Sequence, residues 1–132
     1  MIENKYILDA LSALGVNGCQ LSGHPTKESE FLSMYSENTG VDSMNTMILS
    51  SDPKDFSVTW KQVSEKAKEI EDAEPLKQLR EVRNSILAET DWTQNRDVTL
   101  SNDADWKTYR QALRDITKDY KSLDDVTWPE KP

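Results

Sequence analysis

The sequence offers few side chains that could carry out a reaction. It has one histidine, His24, and one cysteine, Cys19. They stand five residues apart with Gly23 between them, which is not a metal-ligand spacing. A cysteine–histidine nucleophile pair would need a third group to orient the imidazole, and no orienting motif accompanies these two. His24 therefore reads as a surface residue before Pro25, and Cys19 as a half-buried thiol. The acidic pairs Asp103/Asp105 and Asp124/Asp125 have the right chemistry for proton transfer or for a hard cation. Neighbouring carboxylates at a helix start or in a loop are ordinarily solvated, however. Gly15-Val16-Asn17-Gly18 precedes an apparent strand with no Lys-Ser/Thr after it, so it reads as a turn and not as a phosphate cradle. No catalytic residue, metal ligand set or cofactor site is expected.

The tryptophans are more informative. Trp92, Trp106 and Trp128 all fall in the last 41 residues. Each can bury on the order of 200 Å². Trp92 and Trp128 lie in segments without periodicity, so those segments are expected to be docked, with the two rings capping a helical hairpin or one of them anchoring a protein partner.

The elements that must hold these residues follow from the hydrophobic pattern. Tyr6, Ile7, Ala10, Leu11 and Leu14 give a helix over 3–14, closed by Gly15. Cys19–Ser22 and Thr46–Ser50 are two short strands. A helix from Thr26 carries Phe31, Leu32, Met34 and Tyr35, and ends at Asn38-Thr39-Gly40. Thr59 caps a further helix whose inner face is Trp60, Val63, Ala67 and Ile70. At Pro75 either a new helix begins or a long one kinks. Leu76, Leu79, Val82, Ile86 and Leu87 continue the pattern. A loop of about 12 residues, long for a helical hairpin, leads to a last helix capped by Ser101 or Asp103. That helix presents Trp106, Tyr109, Leu113 and Ile116. Pro129 pushes Trp128 into extended backbone.

The expected fold is thus α+β and mainly helical. A small α/β module with two short strands (1–60) leads through a connecting helix (61–75) to a helical hairpin with a docked extended tail (76–132). The chain has 132 residues, of which 36% are apolar, enough for one modest core. No apolar run approaches the ~18 residues of a membrane helix, and the N-terminus has no signal-peptide pattern. A single cysteine fits a reducing compartment. Sixteen basic against 24 acidic residues give a net charge of −8, which disfavours nucleic acid as a partner.

The C-terminal part resembles a known family. Leu79-Arg80-Glu81-Val82-Arg83-Asn84-Ser85-Ile86-Leu87-Ala88-Glu89-Thr90-Asp91-Trp92-Thr93 is similar to the LRxxRNxLLAETDWT signature of bacteriophage tail assembly chaperone domains. After Asp97, Trp106-Lys107-Thr108-Tyr109-Arg110-Gln111-Ala112-Leu113-Arg114-Asp115-Ile116 resembles the WxxYRQALRDI block. Val126-Thr127-Trp128-Pro129-Glu130-Lys131-Pro132 resembles the VxWPxxP tail. Asn95-Arg96 and Lys118-Asp119-Tyr120-Lys121 depart from the pattern. The resemblance spans about residues 76–132 and implies a non-enzymatic phage protein acting in tail or tail-fibre assembly in the host cytoplasm. A structural component retained in the virion, in the tail, collar or fibre attachment, is the alternative. The implied partner is a phage tail or tail-fibre protein, with a homo-oligomer left open and neither nucleic acid nor membrane expected.

The candidate interaction residues carried by the motif are Arg80, Arg83, Asp91, Trp92, Asp97, Trp106, Tyr109, Arg110, Trp128 and Pro129. Arg80, Arg83, Arg110 and Arg114 are expected to act first as scaffold, pairing with Asp91, Asp97 or Asp115 or with loop carbonyls. Residues 1–60 carry none of these blocks, and partner choice is expected to lie there. With no metal site foreseen, purified protein should hold no stoichiometric metal and should melt at the same temperature with and without EDTA. A chelator-induced fall in melting temperature would overturn that reading.

Overall fold

The computed structural model describes residues 2–132. The chain forms two compact units, the first ending at Asp72 and the second spanning Ala73–Pro132. The first unit begins with helix α1 (Asn4–Ala13), which buries Tyr6, Ile7, Ala10 and Leu11. Gly15 ends it at φ +86°. The Gly15 N–H donates to the Ser12 carbonyl and the Val16 N–H to the Leu11 carbonyl. This is the six-to-one, five-to-two closure that a left-handed glycine makes possible.

Three strands follow rather than the two expected: β1 (Cys19–Leu21), β2 (Tyr35–Val41) and β3 (Met47–Ser50), all antiparallel in that spatial order. The additional strand is β2. Helix α2 (Glu28–Met34) stops at Met34, and Tyr35 is already extended, with ψ 139°. Tyr35 continues the apolar stripe of α2 in sequence, which is why that segment reads as helix. The inward residues of β2 are Tyr35 and Glu37, so the period-two pattern is hidden by a carboxylate in a core position. Gly40, at φ +145°, sits at an irregularity in the β2–β3 ladder, where its N–H donates to the Asn38 side chain. The α2 start also differs from expectation. Lys27 holds the N-cap position, and Thr26 donates through Oγ1 to the Glu30 carboxylate at 3.0 Å.

Thr59 does cap helix α3 (Trp60–Glu89). The Gln62 N–H donates to Thr59 Oγ1 at 3.2 Å, and the Thr59 N–H donates to Gln62 Oε1 at 2.9 Å. The two bonds form a reciprocal capping box. Val63 and Ala67 are fully buried with α1, Phe31 and Tyr35, and Trp60 and Ile70 pack against them. Phe31 stacks on Tyr35 at 4.6 Å, and Phe56 meets Tyr35 edge-on at 4.7 Å. Pro75 lies inside α3, which runs on through it as one helix.

Glu37 is buried in the same unit, and among the described residues no cation pairs with it. Its carboxylate accepts from the Tyr35 hydroxyl at 2.7 Å, the Ser57 N–H at 2.8 Å and the Ser57 hydroxyl at 2.9 Å. These bonds replace the water it has lost and tie β2 to the segment that enters α3. Burial, then the Glu37 hydrogen bond and charge, hold the Tyr35 phenol well above its ordinary pKa of 10. The folded state thus keeps this proton to higher pH than the unfolded chain does. Tyr35 therefore stabilises the fold fully below pH 10, and that contribution is lost as pH rises above it. Thermal melts from about pH 8 to about pH 11 should show a steeper alkaline loss for wild type than for Tyr35→Phe. Equal slopes would remove Tyr35 from the account.

Candidate partner-binding site

The second unit is built around one arginine. Helix α4 (Asp103–Asp119) buries Trp106, Tyr109, Arg110, Leu113 and Ile116 on a single face. Asn102 holds its N-cap position, in place of the expected Ser101 or Asp103. Arg110, only 6% exposed, reaches the C-terminal end of α3. Its Nη1 donates to the Leu87 carbonyl at 2.8 Å and to Thr90 Oγ1 at 2.7 Å. Its Nη2 donates to Asp91 Oδ1 at 2.7 Å. A helix C-terminus leaves carbonyls without intrahelical partners and carries partial negative charge, so a guanidinium there is favoured twice.

The node extends into the loop. Thr90 Oγ1 donates to the Leu87 carbonyl at 3.1 Å, and Thr93 Oγ1 donates to the Thr90 carbonyl at 2.7 Å. Both threonines are 2% exposed. They close a short 3-10 turn, Asp91–Gln94, in a segment that has no sequence period. Thr90 and Thr93 are not among the candidates that the sequence motif points to. Their signal is the three-residue spacing of two hydroxyls across a helix end, a pattern that bonds backbone carbonyls locally.

Most of the motif aromatics gather beside this node. Trp106 meets Trp92 edge-on at 5.9 Å and Tyr109 at 6.0 Å. Trp106, Tyr109 and Leu113 form a core against which Ile86, Leu87, Leu100 and Trp128 pack. The tail has neither helix nor strand, and Trp128 is half-buried. Pro129, with Asp105, Thr108, Tyr109, Ala112 and the last three residues, lines an open groove of about 390 Å³ beside α4. Lys131 Nζ lies 6.0 Å from the centre of the Trp106 ring. Trp92 is the exception among these aromatics, with 50% of its surface in water.

Other candidates stand apart. Arg80 and Asp97 are exposed and outside the node. Arg83 donates to the Asn84 side chain and, at 3.4 Å, to the Arg114 carbonyl. Asp115 pairs with Lys118 at 3.0 Å. In the first unit, Cys19 pairs across the sheet with Glu37, and burial followed by the Glu37 charge raises its thiol pKa. His24 Nε2 lies 2.8 Å from the Ile2 carbonyl. Among the described residues no three His, Cys, Asp or Glu side chains converge in a way that could hold a metal, and no helix is long and apolar enough to cross a membrane.

Residues 76–132 match the phage tail assembly chaperone protein family. The matched stretch takes in the end of α3, the Arg110 node, α4 and the tail. The residues before Leu76 lie outside it. Neither the curated proteins nor the solved structures give a match to the chain. The three sequence blocks within the matched segment are the parts that the node and the tryptophan core hold together. The Leu79–Thr93 block supplies the helix end and Asp91, the Trp106–Ile116 block supplies Arg110, and the tail supplies Trp128.

The two sides of the ion pair differ in burial. Arg110 has 8% of its side chain exposed and Asp91 has 66%. Removing Arg110 strips buried acceptors of their donor, at about 1–3 kcal/mol each. Removing Asp91 takes a mostly exposed acceptor from one Nη2 N–H of Arg110, a surface-type pairing worth below about 1 kcal/mol. Denaturant titrations should therefore show Arg110→Ala losing about 2–4 kcal/mol and Asp91→Ala much less. Equal losses would mean that the ion pair, and not the helix cap, is what Arg110 supplies.

Proposed function

We propose that the protein is a non-catalytic assembly factor that binds a phage tail or tail-fibre protein in the host cytoplasm while the particle is built. The family match over residues 76–132 carries this reading. The exposure of Trp92 supports it from the structure. Its ring is half in water yet backed by Trp106, on a turn fixed through Arg110, Thr90 and Thr93. A large apolar side chain already held in place loses little further freedom on binding, and residues of this kind dominate interface energies. Trp106, Tyr109 and Arg110 are scaffold in this account, and Trp92 is the contact. The net charge of −8 favours a partner face carrying Lys or Arg. We assign the choice among phage proteins to the first unit, which lies outside the family match.

The test is co-purification and titration of the full chain with the tail and tail-fibre proteins of its phage. Wild type should bind one of them. Trp92→Ala should weaken binding by about thirtyfold, the scale of a single anchor residue, with little change in melting temperature. If wild type binds none of them, the assembly reading fails. If Trp92→Ala binds as wild type does, the contact lies elsewhere on the chain.

A further inference from the structure

The β2–β3 hairpin is the least covered part of the first unit. Val41, Met44, Met47, Ile48 and Leu49 are 36–84% exposed, the largest value belonging to Met44. Strand β3 is at the end of the sheet, and no strand among the described residues pairs with its outer edge. The hairpin is well formed nonetheless. Asp42 accepts from the Met44 and Thr46 N–H groups, and Asn45 takes a left-handed conformation at φ 61° to close the turn. A rigid apolar edge of this kind is a template for another strand.

Its sequence indicates which strand. Thr46-Met47-Ile48-Leu49-Ser50 reads the same in both directions by chemical type: hydroxyl, three apolar residues, hydroxyl. Antiparallel pairing with a second copy about a two-fold axis at Ile48 sets Ile48 against its own equivalent. Met47 then faces Leu49 and Thr46 faces Ser50, so each directly opposed pair is matched. Charge favours the same edge. The chain carries −8, so two copies repel over most of their surfaces, yet Asn38–Ser51 contains one charged residue, Asp42. That carboxylate is engaged within its own turn.

We infer that the protein self-associates as a two-fold dimer through the outer edge of β3, joining two three-stranded sheets into one of six strands. The contact rests on one four-residue strand and five exposed apolar side chains, fewer than the ~20–30 residues a side of a standard interface. The dimer is therefore weak, concentration-dependent and strengthened by salt, which screens the repulsion of two acidic chains.

Sedimentation of the full chain from micromolar to near-millimolar concentration tests this. Wild type should pass from monomer to dimer, at lower concentration in about 0.5 M salt than in dilute buffer. Ile48→Lys and Ile48→Glu each place like charges opposite one another and should weaken the dimer at least about tenfold. Their far-ultraviolet circular dichroism should stay that of wild type, since the site is exposed. Mixing the two variants should restore a heterodimer, which only self-pairing about residue 48 explains. A wild-type monomer throughout, a dimer indifferent to both substitutions, or a mixture that stays monomeric would each overturn the inference. None of these results depends on a phage partner, so the assembly reading stands or falls separately.

Discussion

The second unit depends on a buried guanidinium that stands in for the missing last turn of a helix. Once α3 stops at Glu89, the Leu87 carbonyl and the polar groups of the Thr90 turn lie away from water. Arg110 and the two threonines satisfy them from one side. Arginine suits the task because its planar fork serves three oxygens at once and keeps its charge when desolvated. A lysine would present a point charge with no matching geometry. The loop that follows can then be short of apolar residues and still be ordered, and Trp92 gains a fixed base.

The first unit solves a related problem with the opposite charge. Glu37 sits at an inward position of β2 and meets no lysine or arginine. It is held by a phenol, a backbone N–H and a serine hydroxyl. Leaving a carboxylate unpaired in a core would be costly. These three donors make it a fastening between the sheet and the entry to α3. Each unit thus places one ionisable side chain where a helix meets a loop or strand. Each small apolar core, Phe31 with Tyr35 or Trp106 with Leu113, packs around that junction.

Much of this was legible in the sequence because it rests on periodicity and capping chemistry. Tyr6, Ile7, Ala10 and Leu11, Val63 with Ala67, and Trp106 with Tyr109 and Leu113 repeat at helical spacing, and all are buried. Gly15 and Thr59 announced the helix ends that they make. The cores were readable for that reason, whereas of the pairings open to Arg80, Arg83, Arg110 and Arg114 with Asp91, Asp97 or Asp115, only Arg110 with Asp91 forms. What stayed hidden has physical causes. Strand β2 carries its inward pattern on a tyrosine and a glutamate, and a buried carboxylate looks like a surface residue until its donors are known. Those donors include Ser57, 20 residues away. The outward position of Trp92 was equally hidden, because an indole at the edge of a core has the same sequence signature whether its free face is covered or bare.

The surface that remains joins two properties that normally oppose each other. A chain with few apolar residues and a net charge of −8 is expected to place its apolar side chains inside. Instead each unit leaves some of them in water: the hairpin residues around Ile48 in the first unit, and Trp92 in the second. None of these is needed to close the core of its own unit, since Phe31, Tyr35, Leu79 and Leu113 already lie at 0–1% exposure without them. Their exposure lowers solubility, and the acidic charge offsets that cost by keeping unbound chains apart. Charge and exposed apolar surface are therefore complementary here. The first limits indiscriminate association and the second rewards the one geometry that buries it, a combination that fits the binding role proposed above.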